Sequence, residues 1–90
     1  MGLREKGKQM SNTIRLPKAE EVEKIKTSVK EVFSFVSIEH GEIRTMPDGR
    51  MLVRATIPQS LMELVICRLF GYGIVIVNAG NGEWGFAVRS

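Results

Sequence analysis

Between Val22 and Val36 the apolar residues Val22, Ile25, Val29, Val32, Phe33 and Val36 follow one another at intervals of three, four, three, one and three. That rhythm places them on one side of an α-helix, so the segment presents a single apolar stripe and needs a second layer to bury it against. The other side carries Glu20, Glu23, Lys24, Lys26, Thr27, Lys30 and Glu31. Glu20 and Lys24 are spaced to pair along the helix, and Glu20 and Glu21 lie in the first turn and Lys30 nearer the end, the polarity the helix dipole favours. Pro17 stands just before, with its φ already set for a helix start. The charge pattern here therefore has a sufficient structural explanation.

After this helix the rhythm changes. Around residues 35–38 the period shifts towards two, and residues 43–46 and 51–57 read as two strands joined at Pro47-Asp48-Gly49, a turn in which Gly49 supplies positive φ. Alternation sends Met51, Val53, Ala55 and Ile57 to the core and Leu52, Arg54 and Thr56 to the opposite side. Pro58 opens a second helix running to about Phe70, with Gly71 expected as its C′ residue. Its apolar residues Leu61, Met62, Leu64, Val65, Ile66, Leu69 and Phe70 spread around most of the axis, so this helix needs cover on more than one side. Residues 74–77 and 84–88 form a second hairpin about an Asn-Gly turn, and residues 12–16 can add a short edge strand.

The order (β)αββαββ predicts an α+β domain with two helices packed on one face of a four- or five-stranded mixed or antiparallel sheet, ferredoxin-like in its nearest common form. Ninety residues hold one core of this kind, so residues 12–90 are expected to form a single domain behind a flexible basic arm at residues 1–11. Fold alone does not give function.

Charge is unevenly divided. Residues 1–18 hold Arg4, Lys6, Lys8, Arg15 and Lys18 against Glu5, a net +4, whereas the rest has eight basic and nine acidic residues. The high pI of about 9.4 is thus a property of the beginning of the chain. Arg44, Arg50 and Arg54 lie near the first hairpin, and with the basic arm they make a candidate phosphate-contacting stripe for DNA or RNA.

Chemistry is weakly represented. His40 is the single histidine and borders Gly41, with Glu39 and Glu42 nearby; Cys67 is the single cysteine and sits in an apolar run that predicts an inert, buried thiol. A general base needs a nucleophile or substrate proton in reach, and one Cys with one His cannot make a zinc site, so no catalytic residue, metal or cofactor is assigned. Gly71-Tyr72-Gly73 follows a helix and Gly80-Asn81-Gly82 joins two strands, so neither has the setting of a phosphate-binding loop. A polar, basic start and no long apolar run predict a cytoplasmic chain with no membrane partner.

The expectation is a non-enzymatic binding or regulatory domain that takes nucleic acid. The alternative is a protein-interaction module, as a homodimer or as an adaptor or inhibitor of another protein. Its candidate interface is Leu61, Met62, Ile66, Phe70 and Trp84, because the second half carries more apolar surface than a small sandwich readily hides.

Overall fold

The computed structural model describes residues 14–89, and the expected arm at residues 1–11 lies outside them. Strand β1 (Ile14–Arg15) leads through the buried Pro17 into a 3-10 turn (Ala19–Glu21) and helix α1 (Val22–Phe35). Glu21 fastens this junction. Its carboxylate accepts two hydrogen bonds from the Arg15 guanidinium, at 2.9 and 2.8 Å, and one from the Lys18 backbone N–H at 2.8 Å. The Arg15 bonds first, and then the Lys18 amide, hold the Glu21 carboxyl down at about 2.

Helix α1 ends where Ser37 takes a positive φ of 59°. The Ile38 N–H then reaches the Phe33 carbonyl at 2.8 Å and the Ser37 N–H reaches the Ser34 carbonyl at 3.1 Å, which is the Schellman pattern. The sequence expectation of a period-two stretch at 35–38 is thereby corrected. Apolar Phe35, Val36 and Ile38 mark a capped helix end, and Ile38 is buried as the residue beyond the cap.

Strands β2 (Arg44–Thr45) and β3 (Met51–Arg54) form the first hairpin. Its turn closes through Gly49 N–H to Met46 O at 2.9 Å, with Gly49 at φ 94°. Helix α2 (Gln59–Gly71) follows Pro58, then β4 (Ile74–Gly80) and β5 (Glu83–Arg89). Helix α2 runs through the expected stop at Gly71; Tyr72 caps it at φ −92°, and the left-handed residue is Gly73, at φ 79°. The second hairpin is tighter than expected, since Asn81 and Gly82 both have positive φ and form a two-residue turn whose strands extend to its edges.

All pairings are antiparallel. Strand β5 is the centre, with β4 along one edge and both β3 and β1 end to end along the other; β2 pairs the far side of β3. Because β3 and β4 each run antiparallel to β5, they are parallel to each other with α2 connecting them, a split βαβ unit. The first half lacks this relation, since β1 and β2 run in opposite senses. The split unit is thus confined to the second half, and the fold is an α+β sandwich of two helices and five antiparallel strands.

Register assigns the faces. Met51 lies between Phe86 and Thr45, and Phe86 pairs with Ile76, so this row faces the helices. There Phe33, Val29, Met51, Val53, Val65 and Leu69 are fully enclosed, with Ala55 and Ile57 also buried. The neighbouring row, Arg44, Leu52, Gly85 and Val77, lies on the side no helix covers.

Candidate interaction surfaces

The helix-free sheet face is built around a missing side chain. Gly85 sits mid-row between Leu52 and Val77, so two flanking apolar side chains stand over bare backbone. A Cβ at Gly85 would come within 3.2 Å of Val77 Cγ2 and 3.5 Å of Leu52 Cδ2, closing the space. Ile14, Leu16, Leu52, Val77 and Ala87 line the resulting groove of about 300 Å³, with Arg50 at its rim. Leu52 and Ala87 are buried in its floor, while Ile14, Leu16 and Val77 are 47%, 47% and 42% exposed. Sequence alternation sent Leu52 away from the core correctly, yet it is only 8% exposed on this second apolar surface. An apolar floor walled by exposed apolar side chains suits a partner's aliphatic or aromatic groups.

The expected basic stripe is divided by pairing and by direction. Arg44 donates to Glu83 Oε2 at 2.9 Å and Arg54 donates to the same oxygen at 3.2 Å, with a second Arg54 bond to the Asn81 carbonyl at 2.7 Å. Arg50 donates to Asp48 Oδ2 at 2.9 Å, and Asp48 also accepts the Arg50 backbone N–H. Those two contacts, the backbone one first, hold the Asp48 carboxyl below its ordinary range. Arg15 is opposite Val88 in register, which turns it to the helix side, where Glu21 takes it. Three carboxylates thus answer four arginines. Lys18 is exposed beside this junction, and Arg4, Lys6 and Lys8 lie outside the described residues. Among the described residues neither the groove face nor the arginine cluster presents an aromatic ring on which a base could stack, because Trp84 and Phe86 point to the core.

The five candidate interface residues separate into two groups. Leu61, Met62 and Trp84 pack against the core, and Trp84 Nε1–H donates to the Ala55 carbonyl at 3.0 Å, so these three serve the interior. Ile66 and Phe70 are 45% and 47% exposed on α2, and an Arg89 guanidinium lies 4.5 Å above the Phe70 ring. Leu64, Phe35 and Tyr72 are further exposed apolar residues that the sequence reading did not select. Around them Arg68 stacks 3.8 Å over Phe35 and the Tyr72 hydroxyl donates to Glu31 at 3.4 Å, bridging α2 to α1. The helical wheel contained this information, but only the position of α1 shows which flank is used.

His40 and Cys67 occupy separate hollows. Nδ1 of His40 is 2.7 Å from the Gly41 carbonyl, to which it donates, and its ring packs at 5.3 Å against Phe33. Cys67 lies with Leu64, Arg68 and Tyr72 on the outside of α2. It is exposed, which corrects the expected buried thiol: the apolar run continues around a helix that buries only Val65 and Leu69 completely. Among the described residues no three His, Cys, Asp or Glu side chains converge as a metal site would require, and no helix is long and apolar enough to cross a membrane.

Comparison with known proteins finds no matching family model, no similar curated protein and no similar solved structure.

Proposed function

We propose that this chain is a small non-enzymatic protein-interaction domain, working in the cytoplasm, whose helix-free sheet face receives an apolar segment of a partner protein. The observation that carries this reading is the groove over Gly85, flanked by Leu52 and Val77 and rimmed by Leu16. An open apolar groove is a natural contact site, and aliphatic walls give affinity through burial rather than charge. Nucleic acid is less well served by this face, because Arg44, Arg50 and Arg54 already have carboxylate partners and no stacking ring accompanies them. Against catalysis stand a histidine engaged with its own loop and a cysteine in a different hollow.

The test is affinity capture from nuclease-treated cell extract with three forms of the chain: unmodified, Leu16→Glu and Arg54→Glu. Leu16 is half exposed, so its replacement alters the surface and spares the core. A protein retained by the unmodified chain and by Arg54→Glu but lost by Leu16→Glu is the expected result. Retention by Leu16→Glu would contradict the groove, and capture seen only in untreated extract and dependent on Arg54 would return the domain to the nucleic-acid reading.

A further inference from the structure

A second surface lies at the sheet edge, on the strand that lends Val77 to one wall of the groove. Strand β4, whose sequence is Ile-Val-Ile-Val-Asn-Ala-Gly, pairs β5 on one side and has no strand on its other side among the described residues. It carries no charge and no proline along its whole length, and a bulge between Asn78 and Gly80, where the Asn78 carboxamide oxygen accepts the Gly80 N–H at 2.8 Å, leaves Ile74–Val77 as the regular stretch open to pairing. Such an edge offers unpaired backbone donors and acceptors that another extended strand can satisfy.

Beside it runs a stripe on α2. Arg68 and Tyr72 face α1 through Phe35 and Glu31, which fixes that flank of the helix. Gln59, Glu63, Ile66 and Phe70, spaced by four, three and four, occupy the other flank, and α2 is the helix that approaches β4 most closely. The stripe is polar and acidic near its start. Towards its end it is apolar, and there Arg89 covers Phe70.

We infer that the occupant of this edge is a second copy of the chain, paired β4 to β4 and antiparallel across a two-fold axis. Three features select a copy over an unrelated strand. First, two uncharged β4 strands can lie antiparallel with no like charges opposed. Second, one axis serves both elements: from the Tyr72–Gly73 turn, Ile66 is about 9 Å back along α2 and Ile76–Val77 about 10–13 Å forward along β4. Strand centres and stripe centres therefore meet their own images together. Third, the antiparallel arrangement sets the Arg89 end of each protomer beside the Glu63 end of the other, so the charges of the stripe complement themselves. An isologous contact demands this self-complementarity, and the product is one ten-stranded sheet with α2 packed on its mate around Ile66.

The pairing leaves the groove residue Leu16 uninvolved, so it goes beyond the partner-binding reading and can fail independently of it. Sedimentation of the full chain tests it directly, with circular dichroism to verify folding of each variant. The unmodified chain is expected to sediment as a dimer at ~100 μM, and Ile66→Glu to weaken association at least roughly tenfold while retaining its spectrum. Glu63→Arg and Arg89→Glu should each weaken association, and the Glu63→Arg/Arg89→Glu pair should recover most of the loss. Within one chain Glu63 lies on α2 and Arg89 at the end of β5, beside Phe70 about two turns further along the helix, so recovery reports contact between chains. A monomeric mass at that concentration overturns the inference, whether the edge is free or occupied by something else. So does a double variant no better than the worse single one.

Discussion

The two helices share one face of the sheet, yet the less hydrophobic of them does more of the packing. Helix α1 encloses Ile25, Ser28, Val29, Val32 and Phe33, whereas α2, richer in apolar residues, encloses only Val65 and Leu69 and leaves Leu64, Ile66 and Phe70 exposed. Burial therefore follows arrangement rather than hydrophobic content. In α1 the apolar residues apart from Phe35 form one stripe that packs on the core; in α2 they surround the axis and a single sheet can take only part. The surplus on α2 is what suggests a surface built for contact.

Core truncation should show the contrast most strongly. Phe33→Ala is expected to destabilise by about 3–5 kcal/mol and Leu69→Ala by about 2–5 kcal/mol in denaturant titration, since both side chains are fully buried and leave cavities. Ile66→Ala, measured where the chain is monomeric, should stay within about 0.5 kcal/mol. A loss at Ile66 as large as that at Leu69 would break the distinction between the two flanks of α2.

A smaller effect is expected at the junction that ends α2. Gly73 holds φ 79° with open space around its Cα, so Gly73→Ala meets no clash and still pays the left-handed backbone penalty, about 1–2 kcal/mol. Gly71→Ala, inside the helix, should be neutral or slightly stabilising. Opposite signs in thermal unfolding would confirm Gly73 as the C′ residue.

The smallest effect concerns the start of α1. The Glu21 carboxyl is held at about 2, below its unfolded value, so its pairing adds stability above the unfolded pKa of 4.5 that fades as pH falls towards 2. Glu21→Gln should remove that portion of the acid limb and change little below pH 2. An unfolding curve whose acid dependence is unaltered by Glu21→Gln would mean that the Arg15 and Lys18 contacts do not hold β1 to the helix.

Much of this architecture was legible in the sequence because period and turn chemistry agree. The 3-4 spacing from Val22, the Pro47-Asp48-Gly49 turn and the Asn81-Gly82 turn each specify one local structure, and Met51, Val53, Ala55 and Ile57 are buried as their alternation requires. Ser37 was not legible, since a serine in the left-handed region carries no distinctive signal and its neighbours are apolar. The central place of β5 was also hidden, because strand order depends on pairings between distant segments that local patterns do not encode. For the same reason the groove escaped notice. Gly85, Leu52 and Val77 come together only through registers linking three strands. The arginines were visible as charges, but their carboxylate partner Glu83 is 39 residues from Arg44 and 29 from Arg54.

The division between a helix that holds the fold and a helix that offers its outer flank is tested most directly by denaturant midpoints measured across protein concentration. The unmodified chain and Ile66→Glu would be followed side by side by circular dichroism. The midpoint of the unmodified chain should rise with concentration, because association stabilises the folded state, and that of Ile66→Glu should stay constant at the dilute-limit value of the unmodified chain. A lower dilute-limit midpoint for Ile66→Glu would show that Ile66 supports the monomer's own core and would contradict the division.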